Sequence, residues 1–225
     1  HRHFRRQRQM CIRDSNEGWG QWDTPRIVEL THAWDPTRLV NHASGWTDRG
    51  VGDVNDIHSY PGPDMPELEE NRAVVLGEFG GLGLPVEGHT WQDKNNWGYR
   101  NYNDSKALTE AYLKLMTKLE ILKEKGLSAA VYTQTTDVEI EVNGLLTYDR
   151  AIIKMDPKNI AAINQGYLPP LILADADIFL QSLTVKLKSA RPEADIRYSL
   201  DGSEPTATST LYEKPFEITK STTVK

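Results

Sequence analysis

The feature that most constrains the fold is the run Ala73-Val74-Val75-Leu76, which is apolar at every position and therefore apolar on both faces of an extended chain. Such a run reads as a strand covered on both sides, as in a parallel sheet with helices over each face. It ends at Gly77-Glu78-Phe79-Gly80-Gly81, which sets a carboxylate among small residues at the strand exit. In parallel α/β proteins the strand exits are where side chains meet a ligand.

The surrounding sequence fits this layout. Thr24 and Pro25 predict a helix start, with Ile27, Leu30, Thr31 and Trp34 on one face and a stop at Asp35-Pro36. Arg38 to Ala43 and Val54 to Ser59 read as strands, the second followed by the turn Tyr60-Pro61-Gly62-Pro63. Leu108, Tyr112, Leu115, Leu119 and Leu122 recur every three or four residues and predict a long helix from Ser105 to Gly126. Leu127 to Thr133 reads as another buried strand, and Asp156-Pro157 opens a short helix that ends at Gly166. This alternation predicts an α/β unit, and Leu168-Pro169-Pro170 reads as a linker. Beyond it, Leu183, Val185 and Leu187, then Ile196, Tyr198 and Leu200, alternate in the manner of an all-β unit, with a turn at Asp201-Gly202 and a last strand from Ile218 to Val224.

Composition removes several classes. No apolar run approaches the roughly 18 to 20 residues of a membrane helix. A single cysteine, Cys11, cannot form an internal disulfide, and His32, His42, His58 and His89 are too dispersed in sequence for a zinc-finger pattern. Five arginines and no acid lie in residues 1 to 13, so the remaining 21 basic groups face all 32 acidic ones. A body of charge −11 repels a phosphate backbone, and no nucleic-acid partner is expected. The leader 1–15 lacks the apolar core of a signal peptide. Its run Arg8-Gln9-Met10-Cys11-Ile12-Arg13-Asp14 resembles an assembly artefact, so 1–15 is set aside as an artefactual leader in reading the fold.

Two glutamates share one local plan, Asn16-Glu17-Gly18 and Gly77-Glu78-Phe79. Carboxylates paired at strand ends do acid and base work, whereas the bland reading is two solvated loop glutamates. Trp19, Trp22, Trp91 and Trp97 flank them in sequence, either as stacking faces for sugar rings or as core.

Asn16-Glu17, Gly77-Glu78-Phe79-Gly80, Tyr132-Thr133-Gln134-Thr135-Thr136-Asp137 and Asn143-Gly144-Leu145-Leu146-Thr147-Tyr148-Asp149-Arg150 together resemble the catalytic barrel of glycoside hydrolase family two. The resemblance runs from residue 16 to about 168 and includes β-galactosidases, β-glucuronidases and β-mannosidases. It implies Glu17 as acid/base at the end of the fourth barrel strand, Asn16 as the ligand of the sugar 2-hydroxyl, and Glu78 as the nucleophile ending the seventh. Tyr60 matches a sixth-strand tyrosine that hydrogen-bonds the nucleophile. His58 is either a wall of the same pocket or a structural hydrogen-bond partner. Tyr132 stands where several family members have Trp, and Trp19 is a further candidate substrate contact. The segment Ile196-Arg197-Tyr198-Ser199-Leu200-Asp201-Gly202 through Leu211-Tyr212 resembles the small C-terminal β-sandwich of chitobiases and hexosaminidases. Only Tyr198 and Tyr212 in it could stack on glycan, so a packing role is favoured.

The expectation is therefore an α/β chain: a partial (β/α)8 barrel, from the end of the fourth strand through the eighth, over 16–168, then a truncated β-sandwich module over 169–225. It implies a retaining exo-acting β-glycosidase, β-galactosidase-like, with a carbohydrate substrate, no cofactor, no metal and no membrane partner. Its further partner would be the missing N-terminal domains of the same polypeptide. The resemblance points to the periplasm or the cell exterior, and the chain alone is expected to be inactive because half the rim is missing. The alternative is a non-catalytic carbohydrate-binding or structural fragment.

Overall fold

In a computed structural model of the chain, the described residues are 11–43, 45–167, 170–174, 176, 178–189 and 193–225. The chain divides into two compact units, one ending at Ile160 and one running from Ala161 to Lys225. The division falls earlier than the double-proline linker, of which Leu168 and Pro169 lie outside the described residues.

The first unit runs β1 (Cys11–Arg13), α1 (Thr24–Trp34), β2 (Leu39–Asn41), β3 (Val54–Ser59), β4 (Ala73–Gly80), β5 (Leu82–Gly83), β6 (Arg100–Asn101), α2 (Ser105–Glu124) and β7 (Ala129–Thr133), with α3 (Pro157–Asn164) across the boundary. Every strand pairing in it is parallel. The run at 73–76 lies in the middle strand of the sheet β3-β4-β7, and Val74, Leu76 and Phe79 of β4 are buried, as a strand with neighbours on both edges requires. Among the described residues the ladders form separate two- and three-stranded sheets and no closed barrel. Nor is any described helix long and apolar enough to cross a membrane.

The end of the leader takes part in the fold. Cys11–Arg13 forms a strand in parallel register with Leu39–Asn41, because a backbone ladder needs only extended chain and takes little notice of arginine side chains. Residues 1–10 lie outside the described residues. α1 is also rotated from expectation: Thr24 and Val28 are buried while Trp34 is 82% exposed, so the buried stripe passes through Val28 rather than Leu30 and Trp34. The long helix keeps its expected face, with Leu108, Tyr112, Leu115 and Leu119 buried. Asp104 caps it, accepting the Ala107 amide at 2.8 Å, and Gly126, at φ 111°, follows its end.

A buried ion pair holds the loops after β4 and β7. The Lys154 ammonium donates to Asp137 Oδ1 at 2.6 Å and to the carbonyls of Val142 and Leu84 at 2.9 and 3.2 Å, with both side chains fully covered. Burial works against both charges, pushing the Asp137 carboxyl up and the Lys154 ammonium down, and the bond between them opposes each shift. Asp137 Oδ1 also accepts the Gly144 amide at 2.7 Å. Removing one partner leaves the other buried and uncompensated.

The second unit is all-β: β8 (Leu171–Ala174), β9 (Leu183–Lys188), β10 (Arg197–Tyr198), β11 (Thr210–Leu211) and β12 (Phe216–Ile218). β12-β9-β8 form one antiparallel sheet and β10-β11 a second. Val185, Leu187, Ile196 and Ile218 make its core, with Tyr198, Tyr212 and Phe216 packed against them. The last strand is shorter than expected and stops at Ile218, while Thr223 makes an isolated parallel bridge to Asp201.

Lys154→Met is expected to cost about 3 to 5 kcal/mol in urea denaturation. Adding Asp137→Asn to it should recover part of that loss, since the amide still accepts from Gly144 and carries no charge. A double variant no more stable than Lys154→Met would show that the pair is not what holds these loops.

Candidate active site

The site is assembled at the exits of β1, β3 and β4. Along β3 and just beyond it, Asp56, His58 and Tyr60 stand at alternate positions and so share one face. Opposite them β4 carries a bulge: Ile57 pairs with Leu76 but His58 pairs with Glu78, which leaves Gly77 as the extra residue. Bulges re-aim the side chains that follow them, here Glu78. The Gly77 amide donates to Asp56 Oδ1 at 2.6 Å, and a Cβ at Gly77 would overlap that carboxylate. Asp56, 1% exposed, also accepts from Asn41 Nδ2 at 2.9 Å.

Glu17 immediately precedes the 3-10 turn Gly18–Gly20. Gly45, at φ 53°, packs over it: a Cβ there would lie 2.6 Å from Glu17 Cβ and 3.2 Å from His58 Nδ1. Glycine is required at that position on both counts, conformation and space.

Glu17 and Glu78, 61 positions apart in sequence, are joined by one guanidinium. Arg13 donates through Nη2 to Glu17 Oε2 at 2.7 Å and through Nη1 to Glu78 Oε1 at 2.8 Å. Burial lowers the Arg13 pKa, but the Glu78 bond and the charges of Glu78, Glu17 and Asp56 outweigh it and raise it. The other Glu78 oxygen accepts the Tyr60 hydroxyl at 2.5 Å and stands 3.4 Å from His58 Nδ1. Burial first, then the bond to Glu78, push the Tyr60 hydroxyl well above its usual range, so it remains a donor. His58 is buried, with its Nε2 3.7 Å from Asp56 Oδ2. One potential ligand atom from each of Glu17, His58 and Glu78 lies within 4.8 Å of the others, so this trio could hold a metal ion.

The expected residues therefore separate. Glu17, Glu78, Tyr60 and His58 come together. Asn16 is exposed and packs at Gly20, lining an open cavity of about 650 Å³ with Trp22 and Ile27, and neither glutamate lines that cavity. Trp19 is 96% exposed and makes no ring contact among the described residues. Tyr132 packs edge-on against Phe79 and Tyr112 at 5.6 and 4.9 Å, which places its ring in the packing of β4, β7 and α2. The aromatic neighbours of the site are instead Tyr99, stacked on Tyr60 at 3.8 Å with Trp97 edge-on behind it at 5.3 Å, and Trp46, edge-on to His58 at 5.9 Å.

Arg13, Asp56, Gly45 and Tyr99 were not legible as site residues. Asp56 had a signal, its place two residues before His58 on the same strand face. Tyr99 had none, since a loop ring is placed only by the packing around it.

The C-terminal module matches a known family. The sequence model described as the chitobiase/beta-hexosaminidase C-terminal domain covers residues 175–225, which sets the chain in a glycoside-hydrolase context. No curated protein matches the chain. Within the matched segment Tyr198 stacks on Phe216 at 4.6 Å and Tyr212 meets both rings edge-on, so the two rings considered for glycan stacking are engaged with the module's own core.

Gly77→Ala should destabilise the chain by about 1 to 3 kcal/mol, because the added methyl must displace the buried Asp56 carboxylate. Thermal unfolding followed by circular dichroism measures this, and an unchanged transition would show that Asp56 is not held against Gly77.

Proposed function

We propose that the chain is the C-terminal part of a retaining, exo-acting β-glycosidase of the family-two kind, β-galactosidase-like, with Glu78 as nucleophile and Glu17 as acid/base. The observation that carries this reading is the convergence of Glu17 and Glu78 on one cation, each within reach of the other, with the Tyr60 hydroxyl on Glu78. Retaining enzymes use carboxyl groups about 5 to 5.5 Å apart, and inverting enzymes need a wider gap for a water.

In the first step a Glu78 oxygen attacks the anomeric carbon, the glycosidic C–O bond breaks, and the leaving oxygen takes the proton of Glu17. In the second, Glu17 takes a proton from water as the water oxygen attacks the same carbon and the ester bond to Glu78 breaks. Tyr60, held protonated, donates to Glu78 and fixes its orientation. In the resemblance Asn16 would bind the sugar 2-hydroxyl, with Trp19 and Tyr132 as further contacts. The parallel pairs β1-β2 and β3-β4-β7 would be the fourth to eighth strands of a barrel, completed by N-terminal domains of the same polypeptide. A periplasmic or extracellular enzyme acting on carbohydrate follows from that resemblance.

A second reading, a non-catalytic carbohydrate-binding or structural fragment, is favoured by one observation. Arg13 bridges Glu17 Oε2 and Glu78 Oε1, so a guanidinium stands between the two carboxylates that would have to flank a sugar.

In the full-length polypeptide, Glu78→Gln should abolish turnover of aryl β-glycosides. Glu17→Gln should spare the first step for a good leaving group, which barely needs protonation. Tyr60→Phe should lower kcat by at least about tenfold, about 1.4 kcal/mol, with the fold intact. A 2-deoxy-2-fluoro glycoside should label Glu78 in peptide mass mapping. A label on Glu17 would reverse the roles, and turnover that survives Glu78→Gln would sink the reading.

A further inference from the structure

Polar groups beside the carboxylate pair are left without an internal role. The ring of Tyr99 lies flat on that of Tyr60, 3.8 Å away and within 2° of parallel. A Cβ at Gly81 would overlap Tyr99 Cδ2 and lie 2.9 Å from Tyr60 Cδ1, so the inner edges of both rings adjoin Gly81 and the rings run side by side. Tyr60 reaches Glu78 in this way, whereas the Tyr99 hydroxyl has no hydrogen-bond partner among the described residues. Burial first, then the charges of Glu141, Glu78 and Glu17, push that hydroxyl above its usual range, so it is a neutral donor in the field of three carboxylates. The His58 side chain is fully buried with neither ring nitrogen hydrogen-bonded among the described residues, and its Nδ1 faces Glu78 at 3.4 Å. A buried polar group without a partner is costly, and a ligand rich in hydroxyls would supply one.

Glu141 is set beside Tyr99 by backbone. The Trp97 amide donates to the Ile140 carbonyl at 2.9 Å and the Val142 amide to the Trp97 carbonyl at 2.8 Å, which puts Glu141 in parallel register with Trp97. Trp97 in turn meets Tyr99 edge-on at 5.3 Å. One Glu141 oxygen is fixed by a relay of amides: Gln134 Nε2 donates to Asn143 Oδ1 at 2.8 Å, and Asn143 Nδ2 donates to Glu141 Oε1 at 2.8 Å. Asn143 is fully buried, so the relay is rigid, and Glu141 Oε2 accepts nothing among the described residues. A third carboxylate is thus held through one oxygen and open at the other, next to a tyrosine whose hydroxyl is open as well.

We propose that Tyr99 and Glu141 are specificity-determining residues of this site: they bind hydroxyls of a neutral hexopyranoside, Tyr99 as donor and Glu141 as acceptor, and Glu141 excludes a hexuronide by its charge. The inference rests on the glycosidase reading and narrows it to neutral β-glycosides. A carboxylate oxygen accepts a sugar hydroxyl in a charge-assisted bond, and the same oxygen repels the carboxylate of a uronic acid. Beside aromatic walls that repulsion is screened less than in water. Trp97 and Tyr99 are 40% and 44% exposed, so ring surface remains open to the apolar face of a sugar. Arg13 is already shared between Glu17 and Glu78, and Arg100 lies over the Tyr102 ring at 5.9 Å, so neither guanidinium is free for a uronate.

The full-length polypeptide is assayed with an aryl β-galactoside and an aryl β-glucuronide, and binding of the hydrolysis-resistant thioglycosides of the same two sugars is measured by titration calorimetry. The parent should prefer the galactoside by at least about hundredfold in kcat/KM, since like charges brought together in a site are strongly disfavoured. Glu141→Gln should narrow that preference at least about tenfold. Tyr99→Phe, which keeps the ring stack and removes the hydroxyl, should raise KM for the galactoside at least about threefold. Glu139→Gln, an exposed carboxylate two residues away, should leave the preference unchanged. The preference is a ratio, so a loss of folded protein cancels from it. The thioglycoside affinities should shift in the same directions. Absent turnover with the thioglycoside preference and its Glu141 dependence intact would sink the glycosidase reading and leave this inference standing. A preference that Glu141→Gln does not move, or a parent that binds the glucuronide as well as the galactoside, overturns it.

Discussion

The Asp56 carboxylate is the constraint on which the rest of the first unit depends. It is buried, and from β3 it accepts from Asn41 of β2 and from the backbone of Gly77 in β4, so one side chain ties β2, β3 and β4 together. The bond to Gly77 is made where β4 carries its extra residue, and it holds the bulge that turns Glu78 toward β3. A buried carboxylate is stable only when its lone pairs are satisfied, and the strand geometry supplies one of its partners as a backbone amide. The third neighbour of Asp56 is the His58 ring, so the same group that shapes the sheet also lies behind the candidate site.

Above that foundation the site is organised by charge compensation. Glu17 and Glu78 come from segments far apart in the chain, and their closeness is supported by Arg13 between them and by the Tyr60 hydroxyl on the other oxygen of Glu78. Arg13 is partly exposed, and a bridge of that kind is screened and individually weak. The carboxylates are held in place by backbone, through the bulge before Glu78 and the close approach of Gly45 to Glu17. The cation responds to the site more than it creates it.

The second unit follows a different logic. Its core is small, four buried aliphatic residues with a ring of partly buried aromatics, and Tyr198, Tyr212 and Phe216 pack on one another. In a unit this small each aromatic ring supplies a large share of the buried apolar area. The module thus carries the core of a small β-sandwich, in the segment that matches the chitobiase/beta-hexosaminidase C-terminal domain.

The order of elements was written in local sequence. β3 and the start of α2 lie where alternation and leucine spacing put them, and β4 begins at Ala73, because hydrophobic period and capping residues act over a few residues only. Glu17 and Glu78, singled out by their glycine-flanked plan, and His58 and Tyr60, named through the resemblance, stand together in the structure. Tertiary structure alone decided the rest. It rotated α1 so that Val28, not Trp34, is buried, drew Cys11–Arg13 into a ladder, left Trp19 in solvent and turned Tyr132 into the core. It also brought Arg13, Asp56, Gly45 and Tyr99 to the carboxylates. Pairing partners, bulge positions and the neighbours of a buried charge depend on residues distant in the chain, and no window of sequence contains them.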